Sequence, residues 1–311
     1  MKQLLVCDHI SKKAGTFLLQ DIHFTLEPGY IMAVIGSNGA GKSTLVRSLL
    51  GSYKLYDHVN DYPDLVPAAK SLSANKGDIY IEGHSIKYDS KAYKERVAFV
   101  MCECPFAMKL SAKDNGLLYG SYYKNFNQKR YEQLCKGFAL PPKNPIGKFS
   151  KGQQIKMQLA FAMAREASIY VMDEPAGNLD VKFREEFYDI MRNLVREGDK
   201  SIIYVTHLVE EAEIFADYVL WIENGKQIWT GTLECLMDEY RLYVGDLQSL
   251  YREMNIQVVS TKENAVHKEA LVRCIKGDFS DFIEANSRRA TLKEIMYYEK
   301  EGKAARKNGN G

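Results

Sequence analysis

Short apolar runs alternate with longer stretches in which apolar residues recur every three or four positions. Tyr30–Ile35, Ile169–Met172 and Ile202–Val205 are continuous apolar runs of strand length, the pattern of strands buried on both faces. Between the last two runs, Phe183, Phe187, Ile190, Met191, Leu194 and Val195 fall at helical spacing, with Glu185, Glu186, Asp189, Arg192 and Arg196 on the opposite side. This predicts an amphipathic helix over 181–197. Tyr218–Ile222 and Lys226–Trp229 flank Asn224-Gly225, a hairpin signal. Residues 104–165 carry helical patterning and few strand signals, so a helical insert is expected there. The alternation as a whole predicts an α/β fold with a mostly parallel sheet.

After Gly231 the character changes. Residues 232–311 mix strand and helix signals and contain no chemical motif, which predicts a core over 1–231 and a smaller accessory region after it. Thr291-Leu-Lys-Glu294 fits a capping box opening a last helix. The polar, Gly-rich end KEGKAARKNGNG is expected to fray.

Composition narrows the classes. Lys plus Arg is 42 and Asp plus Glu is 40 in 311 residues, a net charge of +2. Such a balance argues against a surface built to grip nucleic-acid phosphates. The longest uncharged run, Pro28–Gly41, is too short and too rich in Gly to cross a bilayer, and the N-terminus MKQLLVCDHI lacks the apolar stretch of a secretory signal. Six scattered cysteines (Cys7, Cys102, Cys104, Cys135, Cys235, Cys274) in a chain this long point to reduced thiols, and Cys102-x-Cys104 has no second pair at zinc-site spacing.

Chemistry enters at Gly36-Ser37-Asn38-Gly39-Ala40-Gly41-Lys42-Ser43, a complete G-x-x-x-x-G-K-S between a strand and the helical pattern of Thr44, Leu45, Val46, Leu49 and Leu50. The loop N–H groups and the helix N-terminus attract phosphate; Lys42 reaches the outer phosphates and the Ser43 hydroxyl suits Mg²⁺. The strand Ser168–Met172 ends in Asp173-Glu174. There Asp173 is placed to hold the Mg²⁺ shell and Glu174 to polarise an attacking water. Ser150 and Gln153 form a second capping box, ahead of Ile155, Leu159, Ala162 and Met163.

Phe149-Ser150-Lys151-Gly152-Gln153 resembles the L-S-G-G-Q signature of ATP-binding cassette (ABC) ATPases. The order matches too: phosphate loop, signature, acidic strand, Asn178-Leu179-Asp180, then Thr206-His207. The resemblance covers residues 1–231. It implies a phosphate-loop ATPase core with a helical subdomain, binding ATP and Mg²⁺. Ser150, Gly152 and Gln153 would face the γ-phosphate held by a second nucleotide-binding subunit, in a homodimer or a heterodimer. His207 would contact the γ-phosphate and orient Glu174. Asp180 would help join the two halves across the dimer, besides N-capping the helix at Val181. The 99–126 stretch and the signature region look most like bacterial drug or antibiotic-peptide exporters. That implies a membrane-spanning subunit on another chain and a place at the cytoplasmic membrane face.

Three departures stand out. Cys102 occupies the place of the family's Mg²⁺-ligating glutamine, so that either Glu103 or water would supply the contact. The family's adenine-stacking aromatic is absent where Lys13 falls, and Phe17 is the candidate replacement. The 51–77 connection is long and carries Tyr53, Tyr56, Tyr62, Pro63 and Pro67, either as a solvated loop or as a partner contact. Tyr119, Tyr122, Tyr123, Phe126 and Tyr131 crowd the insert, divided between local core and a groove for a membrane-subunit helix. Two other readings compete. A soluble ABC factor would show a long coiled coil or two cassettes, whereas a non-hydrolysing sensor would fit the lost glutamine but not Glu174 and His207.

Overall fold

The computed structural model describes residues 3–52, 77–263 and 268–308. Tyr53, Tyr56, Tyr62, Pro63 and Pro67 lie outside them. The chain forms two compact units. The first takes residues 1–207 and 215–230; the second takes 208–214 and 231–311.

The first unit is built on one sheet. Its elements are β1 Leu5–Ala14, β2 Phe17–Leu26, β3 Ile31–Ile35, α1 Lys42–Leu49, β4 Asp78–Ile81, β5 His84–Ser85, α2 Ser90–Glu95 and β6 Val97–Val100, then α3 Ala112–Gly120, α4 Gln128–Gly137, α5 Lys151–Met163, β7 Ile169–Asp173, α6 Val181–Val195 and β8 Ser201–Val205. α7 Val209–Phe215 crosses the boundary, and β9 Tyr218–Glu223 and β10 Lys226–Thr232 complete the sheet. The strand order is β5-β4-β1-β2-β10-β9-β3-β8-β7-β6. β9, β3, β8, β7 and β6 run parallel, while β2, β1, β4 and β5 form an antiparallel flank.

The apolar strand runs are explained by two cores, one on each face. Along β7, Ile169 and Val171 enter one core while Tyr170 and Met172 enter the other; along β8, Ile203 and Val205 alternate with Ile202 and Tyr204. Successive strand side chains point to opposite faces, so a strand covered on both must be apolar throughout. The first core also holds Leu45, Val46 and Leu49 of α1, and the second holds Phe183, Phe187 and Met191 of α6. The expected hairpin forms, with Asn224 and Gly225 both at positive φ (49° and 75°).

The helical insert has its own core around Phe161, whose ring centroid lies 4.7 Å from Phe126 and 4.8 Å from Phe106. Its aromatics divide clearly. Tyr131 is fully buried and donates to the Ala112 carbonyl at 2.9 Å; Tyr119, Tyr123 and Phe126 pack partly buried against the same cluster; Tyr122 is 73% exposed.

In the second unit, α8 Leu233–Asp238 precedes β11 Tyr240–Val244, β12 Ile256–Glu263, β13 Lys268–Cys274, α9 Asp281–Asn286, β14 Ser287–Arg289 and α10 Leu292–Asn308. The sheet order is β12-β13-β11-β14, all antiparallel. The linear division at 231 did not assign 208–214 to this unit. Those residues belong here because the first turn of α10 grips them: the Leu292 N–H donates to the Glu213 carboxylate, and Lys293 Nζ lies 2.6 Å from Glu210 Oε1.

Within the segment expected to fray, α10 continues to Asn308, and residues 309–311 lie outside the described residues. The capping box at Thr291 and Glu294 starts it as expected. Gly302 then lets it lie close to β12: a Cβ there would stand 2.4 Å from the Val259 carbonyl oxygen, a backbone atom that cannot move aside.

Arg288 ties β14 to α10, with its Nη1 2.8 Å from Glu294 Oε2. That bond holds the Glu294 carboxyl down at about 2, helped by the Thr291 N–H and hydroxyl and opposed by partial burial. The folded state therefore favours ionised Glu294. Its stabilisation is complete above the ordinary value of about 4.3 and is lost as pH falls toward 2. Arg288→Ala should lower unfolding free energy by at most about 1 kcal/mol at pH 7, because water screens half-exposed Arg288. The difference from wild type in denaturant unfolding should shrink below pH 4.

Candidate active site

Because β9, β3, β8, β7 and β6 are parallel, the loops after them share one sheet edge. In spatial order those loops begin with Asn224 (just after Glu223), Gly36, Thr206, Glu174 and Met101. Residues far apart in sequence are thereby brought together at the carboxyl ends of the strands, where open α/β sheets place ligands.

The loop after β3 wraps the start of α1. Lys42 is 7% exposed, and its Nζ donates to the Gly36 carbonyl at 2.8 Å and the Ser37 carbonyl at 3.0 Å. Gly36 passes so close to β9 that a Cβ would lie 2.1 Å from the Ile222 carbonyl oxygen, so no other residue fits without moving the strand. The Ala40 N–H donates to the Ser37 carbonyl, and the Ala40 carbonyl accepts from the Gly225 N–H at 2.9 Å, fixing the loop to the hairpin. Asn38 and Gly39 stand exposed at the tip, Ser43 is exposed on the first turn of α1, and Gly41 and Thr44 flank the helix start. Phe17 packs its ring on Gly41, where a Cβ would sit 2.9 Å from it.

Three carboxylates surround the lysine. Burial pulls the Lys42 ammonium below the usual lysine range, and Glu174, Glu223 and Asp173 oppose that pull. Burial and the adjacent Glu174 charge raise Asp173 above the ordinary aspartate value. This excess of negative charge on oxygen donors, with the Ser43 hydroxyl on the neighbouring helix turn, is a donor set suited to a hard divalent cation. Glu174 itself has φ of 48°, and its N–H donates to the Val205 carbonyl at 2.9 Å. Left-handed backbone is uncommon for such a residue, costs about 1 kcal/mol or more, and clusters at functional sites. Here the turn brings Glu174 Oε1 to 3.0 Å from His207 Nδ1.

The other expected residues stand apart from this cluster. Ser150 and Gln153 bond to each other at the N-terminus of α5, closing both arms of the capping box (2.9 and 3.2 Å), with Gly152 between them. Exposed Asp180 caps α6 by accepting the Phe183 N–H at 2.9 Å, and that bond holds its carboxyl below the ordinary value. Glu103 is exposed. Cys102 is the residue of its loop that feels the site: burial and the Glu174 and Asp173 charges raise its thiol above the ordinary range, with Lys151 opposing, so it stays protonated at neutral pH.

Two participants escaped the motif reading. Glu223 accepts hydrogen bonds from both the backbone N–H and the hydroxyl of Ser37. Its only sequence signal was an acid at the end of an apolar strand. Fully buried Gln158 clamps the Cys102 loop, accepting from the Met101 N–H and donating to the Met101 carbonyl, both at 2.9 Å. Its signal was a polar residue on the apolar face of a helix. Gln158→Leu should leave both Met101 groups unpaired, lower unfolding free energy by about 1–3 kcal/mol, and reduce ATP turnover more than nucleotide affinity. Urea unfolding and steady-state hydrolysis assays check the two effects.

Comparison with known proteins agrees with this geometry. The ABC transporter family model matches residues 19–177, half of the chain. The ABC transporter ATP-binding protein NatA of Bacillus subtilis is 28% identical over 74% of this chain and 88% of its own length. The galactofuranose transporter ATP-binding protein YtfR of Escherichia coli K12 is 30% identical over 68% of this chain but 40% of its own length. Among solved structures, an ATP-binding subunit of an ABC transporter superposes with a TM-score of 0.63 at 23% identity, covering 75% of this chain and 91% of that one. The dimeric cassette MJ0796 bound to ADP and phosphate gives 0.60 at 20%, covering 74% and 98%. With its phosphate loop, paired acids and histidine on one sheet edge, the chain belongs to the ABC transporter family, as an ATP-hydrolysing nucleotide-binding subunit.

Proposed function

We propose that this chain powers an exporter, closing with a second nucleotide-binding subunit around ATP and passing the motion to a membrane-spanning protein on a separate chain at the cytoplasmic face. One observation carries the chemistry: Glu174 and His207 lie in contact at the sheet edge that holds Lys42 and Asp173. Lys42 leaves its loop carbonyls for the β- and γ-phosphate oxygens. Ser43 and Asp173 would hold Mg²⁺, which would neutralise charge on the phosphates. Glu174 takes a proton from water as its oxygen attacks the γ-phosphorus; the β–γ bridging bond breaks, and ADP leaves with that electron pair. His207 orients Glu174 and contacts the γ-phosphate. Ser150, Gly152 and Gln153 supply the anion site that covers the partner's ATP, and Phe17 offers its face to adenine. The neutral Cys102 thiol is a poor Mg²⁺ ligand, so water or Glu103 would supply that contact.

Docking is supported by a groove of about 710 Å³ in the first unit, lined in part by Arg47, Phe99, Met101, Pro105, Tyr122 and Tyr123. It borders the Cys102 loop that Gln158 clamps, so a helix seated there would press on a loop ending at the nucleotide. Among the described residues, no helix is long and apolar enough to cross a membrane, consistent with a separate membrane subunit. The outward direction rests on the likeness of 99–126 and the signature region to exporter subunits.

Glu174→Gln should cut ATP hydrolysis by about 10²–10⁴-fold, the usual range for a general base, with ATP binding retained in a fluorescent-nucleotide titration. Unchanged hydrolysis would remove Glu174 from this role.

A further inference from the structure

β1 and β2 pair regularly except in one stretch. Cys7 faces Phe24 and Ile10 faces Ile22, so the register shifts between them, and it shifts again before Lys12. His9 sits inside the first irregularity. Both His9 (φ 48°) and Asp21 (φ 53°) adopt left-handed backbone there, a conformation uncommon outside glycine in which His and Asp are among the better-tolerated residues.

These distortions gather three side chains. His9 Nδ1 lies 2.6 Å from Asp21 Oδ1, and the His9 and His23 rings stack at 4.6 Å with 24° between their planes. One ligand atom from each of the three lies within 4.8 Å of the others. The backbone of the group is fixed from outside: the Asp21 N–H donates to Ser11 Oγ at 3.0 Å, and the His23 N–H donates to Gln227 Oε1 at 2.9 Å. A simple ion pair of His9 with Asp21 would account for two members but gives no reason for His23 to stack on the first ring.

We propose that His9, Asp21 and His23 bind a divalent transition-metal ion of the zinc class. Two imidazoles and one carboxylate suit Zn²⁺, whereas Mg²⁺ and Ca²⁺ select all-oxygen sets. A tetrahedral shell with metal–ligand distances of about 2.0–2.1 Å holds its donors roughly 3.4 Å apart. His9 and Asp21 are part-exposed and His23 is exposed, so small rotamer changes close the remaining gap. The fourth position stays open to water or to a ligand from another molecule. The ion ties β1 to β2 where their backbone pairing is interrupted. The site is separate from the ATP chemistry and depends on none of its residues.

The test titrates Zn²⁺ into the full-length, chelator-treated protein against a chromophoric chelator, with Mg²⁺ in large excess to cover Asp173 and Glu174 and without ATP, whose phosphates would themselves bind Zn²⁺. One equivalent should bind, and His23→Ala and Asp21→Asn should each weaken it by about tenfold or more. At a hundredfold excess over the wild-type Kd, Zn²⁺ should raise the melting temperature of the wild type by about 5 °C and that of His23→Ala by no more than about half as much. X-ray absorption of the loaded protein should give a nitrogen and oxygen shell with imidazole scattering. His23 is exposed, so the variant should fold and hydrolyse ATP as the wild type does, and reduced binding then reports the site itself. Absence of saturable binding, affinity unchanged in the His9→Ala/His23→Ala double variant, or sulfur in the shell, which would place the ion on cysteines, would each overturn the proposal.

Discussion

A buried ammonium, Lys42, organises this protein. Water is largely excluded from it, so its charge must be answered locally, by the Gly36 and Ser37 carbonyls and by the charges of Glu174, Glu223 and Asp173. A lone buried charge would instead shed its proton or unfold its surroundings. Nucleotide phosphates complete this balance. In the proposed reaction they would replace the two carbonyls at Lys42, and a divalent cation would answer the Asp173 and Glu174 charges.

The rest of the first unit serves that arrangement. Parallel strands bring all the loops to one edge, and parallel strands need both faces covered, which is why α1 and α6 pack on opposite sides and why the strand runs are apolar throughout. The helical insert adds a third, aromatic core that carries α5, and Gln158 of α5 reaches back to hold the Cys102 loop beside the acids. His207 ends this cluster, and the next residues, 208–214, belong to the C-terminal unit. The accessory unit is therefore joined by the chain itself to the residue that touches Glu174.

Much of this was legible in the sequence for definite reasons. The phosphate loop is contiguous, its glycines are required by close backbone approaches such as Gly36 to Ile222, and its lysine and serine have fixed offsets. The buried strands declare themselves by apolar runs, and the caps at Ser150, Asp180 and Thr291 by local spacing. What stayed hidden depends on long-range pairing. Glu223 meets Ser37 only because β9 lies beside β3, and Gln158 meets Met101 only because α5 packs over β6. His9, Asp21 and His23 converge through a register shift that no periodicity marks. The helical continuation of α10 to Asn308 depends on Gly302 meeting Val259, a contact invisible in a polar, Gly-containing tail.

The most direct test of the central claim is a crystal structure with Mg²⁺ and a non-hydrolysable ATP analogue. The expected result has Lys42 Nζ detached from the Gly36 and Ser37 carbonyls and within about 3 Å of a β- or γ-phosphate oxygen. Glu174 should then face the γ-phosphate while still touching His207. Nucleotide bound elsewhere, with Lys42 still on the two carbonyls, would contradict the account.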